Sequence, residues 1–231
     1  ATDAEGYALD YVGAWYKNGN LSNNITDWNE DKEDMNVNIW DRGYAGSGGD
    51  HAKGIAVDSS GDVYITGDSF GVAGTGSSDY YTIKYDGNNG NEIWSRYYDN
   101  GGTDHSNGIA LDNEGSVYVT GELYNGSGTG NYDYYTIKYN STNGNEIWSK
   151  NYEGLENDLA YAIATDSSGD VYVTGSSNIS GTGTYGYYTI KYDGSNGDEI
   201  WNNSYDSGQG DDSAKGIATD SSGDVYVAGY S

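Results

Sequence analysis

Short runs of β-branched and aromatic residues alternate along this chain with clusters of Gly, Asn, Asp and Ser. Four kinds of run recur in a fixed order. The first, strand a, is Gly54-Ile-Ala-Val-Asp58, repeated at Gly108 to Asp112, Ala162 to Asp166 and Gly216 to Asp220. Strand b is Val63-Tyr-Ile-Thr-Gly67, repeated at Val117 to Gly121, Val171 to Gly175 and Val225 to Gly229. Strand c is Tyr81-Thr-Ile-Lys-Tyr85, repeated at Tyr135 to Tyr139 and Tyr188 to Tyr192. Strand d ends in Ile-Trp, at Trp40, Trp94, Trp148 and Trp201. Runs of this length and composition, bounded by turn formers, predict strands. Ser59-Ser60-Gly61 and the equivalents ending in Gly115, Gly169 and Gly223 predict tight a–b hairpins, with the glycine in the left-handed region. Asp86 to Gly90, Asn140 to Gly144 and Asp193 to Gly197 predict the c–d turns.

Successive copies are separated by 53 or 54 residues. Four antiparallel strands per unit, with no helical period, predict the blade of a β-propeller. The chain resembles the SBBP family of β-propeller repeats. Asp58, Gly61, Tyr64 and Gly67 carry the likeness in the first blade, and their equivalents recur in the others. It extends over nearly the whole chain except residues 14–36. The resemblance implies a surface or secreted β-propeller and no catalytic residues.

Strand c has three clear copies where a, b and d have four. Tyr7-Ala-Leu-Asp-Tyr-Val-Gly13 overlays Tyr81 to Gly87 and supplies the fourth. The expectation is therefore one all-β domain over residues 1–231. It is a four-bladed β-propeller with four antiparallel strands per blade, its N-terminal strands completing the last blade. Blades are expected at about 50–98, 104–152, 158–205, and 212–231 plus 5–44, with an insertion at 14–36. The N-terminal pair can complete the same chain as a closed ring, or dock on the next molecule and propagate a fibre. Local closure costs no translational entropy and is preferred.

Composition changes this picture in two ways. Hydrophobic residues make up 35% of the chain, but 26 Tyr and 6 Trp supply a core from few, large side chains. The net charge of −26 opposes compaction and excludes a nucleic-acid partner, which would need clustered Lys and Arg. Cations, salt or solvation must offset that charge. With no cysteine there is no disulfide or thiolate metal site. No apolar run is long enough to span a membrane.

Candidate chemistry is sparse. His51 and His105 occupy equivalent repeat positions, so the repeat accounts for them. Asp50, Asp104, Asp158 and Asp212 precede strand a in every blade. As a ring at a channel mouth they would offer oxygen ligands to Ca²⁺; alternatively each bonds backbone N–H groups. Asp58, Asp112, Asp166 and Asp220 open tight turns and read as Asx caps. The pairs Tyr80-Tyr81, Tyr134-Tyr135 and Tyr187-Tyr188 are expected to send one ring between blades and the other to solvent, where it can stack on sugars. Asn20, Asn24, Asn125, Asn140, Asn178 and Asn202 are N-glycosylation acceptors placed in predicted loops. Tyr7, Leu9, Tyr11, Trp15 and Trp28 are candidate interaction residues.

These features point to a non-enzymatic extracellular or cell-surface structural propeller. It would self-associate, into filaments or a surface layer, or bind other surface proteins or glycans. Two alternatives stay open: a lectin-like carbohydrate binder, and a glycan-active enzyme with an acidic site at the channel mouth.

Overall fold

A computed structural model of the chain describes residues 40–43, 48–71, 74, 76–126, 131–179, 181 and 183–231. The described residues form fourteen strands and no helix. The first sheet is β1 (Asp50–Val57), β2 (Val63–Phe70), β3 (Ser78–Tyr85) and β4 (Glu92–Tyr98). The second is β5 (His105–Leu111), β6 (Val117–Asn125), β7 (Asn131–Tyr139) and β8 (Glu146–Tyr152). The third is β9 (Asp158–Thr165), β10 (Val171–Ser177), β11 (Gly186–Tyr192) and β12 (Glu199–Tyr205). The last pairs β13 (Ser213–Thr219) with β14 (Val225–Tyr230). Each sheet runs antiparallel in chain order, so strands a to d of the sequence are its four consecutive members. Tyr7 to Gly13 and residues 14–36 lie outside the described residues.

Turn chemistry sets the register. Gly61, Gly115, Gly169 and Gly223 have φ of 88°, 85°, 85° and 86°, the left-handed conformation that closes each a–b hairpin. In every sheet strand a carries a bulge just before its Gly-Ile-Ala or Ala-Ile-Ala segment. The glycine that ends the strand b motif is imposed by close approach. A Cβ on Gly67, Gly121, Gly175 or Gly229 would collide with the carbonyl oxygen of His51, His105, Leu159 or Ser213.

The sheets lie side by side through their first strands, β1 beside β5, β5 beside β9 and β9 beside β13. The aromatic face of one packs on the aliphatic face of the next. Tyr64, Tyr80 and Trp94 meet Val117, Val119, Tyr135, Ile137 and Tyr139. Tyr118, Tyr134 and Trp148 meet Val171, Val173, Tyr188, Ile190 and Tyr192. Burying each such ring contributes about 1.5–3 kcal/mol, so a tyrosine-rich chain builds its core between sheets. The strand d tryptophans lock the contacts. Trp94 Nε1 donates to Ser141 O at 2.9 Å and Trp148 Nε1 to Gly194 O at 3.1 Å.

Trp40 repeats that contact on the first sheet. Its ring lies 5.7 Å from Tyr85, and its Nε1 donates to Gly87 O at 3.2 Å. Arg42 donates to Asn89 O, as Arg96 donates to Asn143 O on the second sheet. Residues 40–42 therefore sit against the first sheet as strand d of a preceding unit would.

Candidate functional site at the open sheet edge

A cation receptor recurs at the a–b hairpin of each complete sheet. Asp58 opens the turn: its Oδ1 accepts N–H from Ser60 and Asp62, and its Oδ2 accepts the Tyr64 hydroxyl at 2.9 Å. Asp112 and Tyr118, Asp166 and Tyr172, and Asp220 and Tyr226 repeat the arrangement. The strand c lysine then lies over the tyrosine ring. Lys84, Lys138 and Lys191 stand 4.9, 5.0 and 4.9 Å from the centroids of Tyr64, Tyr118 and Tyr172. Lys84 reaches Asp62 at 3.0 Å and Asp58 at 3.5 Å, and Lys191 reaches Asp170 at 2.8 Å and Asp166 at 3.2 Å. Lys138 pairs more loosely with Asp112, at 3.9 Å, and donates to Gly194 O at 2.7 Å. Burial works against the charge on Asp58 and Asp166. The tyrosine, backbone and lysine interactions outweigh it and hold both below the usual carboxylate range.

The last sheet has the receptor without the lysine. Asp220 takes its Ser222 and Asp224 N–H bonds and the Tyr226 hydroxyl, but among the described residues no ammonium pairs with Asp220 or Asp224. β14 has β13 on one side, and among the described residues no strand pairs with its other edge. Beside that edge, Tyr187, Thr189, Trp201, Tyr205, Val225 and Val227 line a groove of about 200 Å³. Trp201 is 37% exposed, against 5% and 8% for its equivalents Trp94 and Trp148. On the far side of the molecule Ile55 and Val57 of β1 are exposed.

A second cluster lies where the first strands come together. Within the a and b segments, three neighbouring positions change most in charge and polarity from sheet to sheet. They read Lys53, Asn107, Tyr161, Lys215; His51, His105, Leu159, Ser213; and Asp68, Glu122, Ser176, Tyr230. Buried Asp68 bridges Lys53 at 2.8 Å and His105 at 3.0 Å. Lys215 lies 3.2 Å from the Tyr161 ring centroid. The bond to Asp68 raises the His105 imidazole, and burial raises Glu122. Sequence reasoning passed over these residues because it weighed what recurs; the departures from the repeat carried the signal. It also equated His51 with His105. His51 is exposed, whereas His105 reaches across to the buried Asp68 of the first sheet at 3.0 Å, because the second sheet's first strand packs beside the first sheet.

The structure does not bring Asp50, Asp104, Asp158 and Asp212 together as one ligand set among the described residues. All four are buried and three are claimed by their own loops. Asp104 accepts N–H from Asn100 and Tyr124, Asp158 from Gly154 and Asp212 from Ser207, while Asp50 accepts the Ser69 hydroxyl. Burial lifts the Asp158 carboxyl to about 6. Asp104 instead lies near Asp79 and Asp99, one oxygen of each within 4.8 Å of the others.

The middle tyrosine pair departs from expectation: Tyr134 and Tyr135 are both buried, because the second sheet is covered on both faces, whereas Tyr81 and Tyr187 of the outer pairs keep some exposure. Tyr80 O–H donates to Tyr135 O, and Tyr134 O–H to Tyr188 O. Among the glycosylation acceptors, Asn125 ends β6 and Asn202 lies within β12 rather than in loops. Asn202 and the turn residue Asn140 keep some exposure. Asn178 is 0% exposed and accepts Gly181 N–H, which closes it to modification in the folded chain. Asn20, Asn24, Tyr7, Leu9, Tyr11, Trp15 and Trp28 lie outside the described residues.

The β-propeller repeat family model, SBBP, matches residues 147–181 and 207–231. No curated protein matches the chain. Among solved structures it is similar to a gluconolactonase of Xanthomonas campestris described as important in glucose secondary metabolism. That alignment has a TM-score of 0.45 and 16% identity, over 78% of this chain and 54% of that one. The chain thus spans about half the length of that protein, at 54%. Residues 147–181 and 207–231 are thus similar to β-propeller repeats of the SBBP family, and the same strand order and Asp-Tyr turn motif recur in the other described sheets.

Proposed function

We propose that the chain is a non-enzymatic interaction and assembly module of the cell surface or extracellular space. In this reading it is a four-bladed propeller whose last blade is completed by strands added at the β14 edge. The observation that carries the reading is the exposed Trp201 beside a β14 edge that no described strand pairs, where the equivalent Trp94 and Trp148 are buried. The seating of Trp40 and Arg42 on the first sheet supports residues before β1 as strand d of that blade. Tyr7, Leu9 and Tyr11 take the sequence positions of Tyr81, Ile83 and Tyr85, the side that faces the preceding sheet in the complete units. Strands from the same chain give a closed ring, and strands from a second copy give a heterologous contact that grows into filaments. The packed tyrosine pairs favour assembly over sugar stacking.

Electron microscopy and sedimentation of the full chain test this, alongside a chain lacking residues 1–13. Closed rings or filaments that depend on residues 1–13 are the expected result. A truncated chain that stays folded, monomeric and equally stable would sink the reading.

A further inference from the structure

We propose that the open edge at β14 is selective for a strand bearing lysine at the fourth position of the Tyr-Thr-Ile-Lys-Tyr pattern, supplied by a repeat outside these 231 residues. The inference rests on the strand-addition reading above and names the partner that the edge recognises.

Register fixes where the lysine must stand. In the first sheet Val63 faces Tyr85, Tyr64 faces Lys84, Ile65 faces Ile83 and Gly67 faces Tyr81. The second sheet repeats this with Tyr118 opposite Lys138, and the third with Tyr172 opposite Lys191. On β14 the same series reads Val225, Tyr226, Val227 and Gly229, so the residue opposite Tyr226 is the lysine of an added strand. Its ammonium would arrive over the Tyr226 ring and between Asp220 and Asp224, the equivalents of the pair that holds Lys84 at 3.5 and 3.0 Å. The groove beside the edge supplies the apolar half of the match, with Trp201, Val225 and Val227 ready for the Tyr and Ile side chains.

The chain's own candidate carries the wrong charge. Tyr7 to Gly13 matches at Tyr, Leu, Tyr and Gly but places Asp10 at the lysine position. Docked there, it would bring a third carboxylate beside two that have no ammonium partner among the described residues. Like charges at contact distance repel, and the repulsion strengthens as the site is desolvated. Lys84, Lys138 and Lys191 are not available, since each already lies in an inner strand of its own sheet. A lysine-bearing repeat strand from elsewhere satisfies shape, register and charge together.

The probe is a synthetic hairpin with the sequence of residues 78–98, titrated calorimetrically into the full chain. Its comparator is a charge-matched peptide in which Lys84→Gln is combined with Asn88→Lys, moving the lysine to the turn. The native-sequence hairpin is expected to bind at least about tenfold more tightly, the scale of a partly desolvated charge-assisted contact. The difference should vanish on a chain carrying Asp220→Asn and Asp224→Asn. Equal affinity for both peptides would overturn the lysine rule while leaving strand addition standing. Binding of neither peptide would also overturn the lysine rule, since it means the edge is already held by the chain's own N-terminal strand or accepts no strand, and removal of residues 1–13 separates those two cases.

Discussion

At the residue scale, one aspartate position is used four times in two different settings. Asp166 is buried and holds two backbone N–H groups, the Tyr172 hydroxyl and Lys191. Asp220 has the backbone and tyrosine bonds but lies at the surface without an ammonium. Asp166→Ala strands several buried donors and is expected to cost about 2–4 kcal/mol in urea unfolding. Asp220→Ala, whose partners stay hydrated, is expected to cost clearly less. Similar losses at both positions would show that the turn alone, and not the lysine pairing, sets the value of the aspartate. The sequence singled out these residues as Asx caps and the caps are present. The lysine that each one serves was not legible, because it arrives from a strand about 25 residues away.

At the element scale, strand b ends where it does because strand a presses on its glycine. Gly175→Ala would drive a Cβ into Leu159 O and the Tyr134 hydroxyl. Backbone cannot yield as a side-chain tip does, so a loss of at least about 2–3 kcal/mol is expected, read as a lowered unfolding midpoint. The added strand c gives a second prediction. If Tyr7 to Gly13 fills the edge, Asp10→Lys should replace repulsion by pairing and raise the melting temperature by about 2–4 °C, equivalent to roughly 1 kcal/mol. An unchanged or lower midpoint would mean that this segment is not the resident strand. Strand identities, hairpin glycines and order were legible because short-range turn chemistry and the period-two pattern are local. The burial of both Tyr134 and Tyr135 was not, since it depends on a neighbouring sheet covering the second face.

At the scale of the whole molecule, charge governs the response to pH. The net charge is −26, and burial raises Asp104, Glu122, Asp133 and Asp158 above their ordinary values. Carboxyls raised on folding bind protons more tightly in the native state than in the unfolded one. Stability therefore rises as pH falls through about 6, the Asp158 value, towards the ordinary 3.8. His105, raised by its bond to Asp68, contributes in the same direction, since its stabilisation is lost as pH rises through its folded value. Asp58 and Asp166 are held low and oppose this only in stronger acid. Urea midpoints should accordingly increase from neutral to mildly acidic pH, with a flatter profile for Asp158→Asn. A steady fall over the same range would contradict the burial of these carboxyls.

The sequence by itself determined the repeat, the strands within each unit, their turns and the count of strands to be accounted for. Each of these follows from local backbone preference and from the regular spacing of apolar positions. Only the tertiary structure decided that the departures from the repeat at Lys53, Asp68, His105 and Lys215 converge between the first strands. It alone also decided that Trp201 and the Asp220 receptor stand bare. Those outcomes depend on which sheet lies beside which, and among the described residues the last sheet differs from the others only in having two strands where they have four.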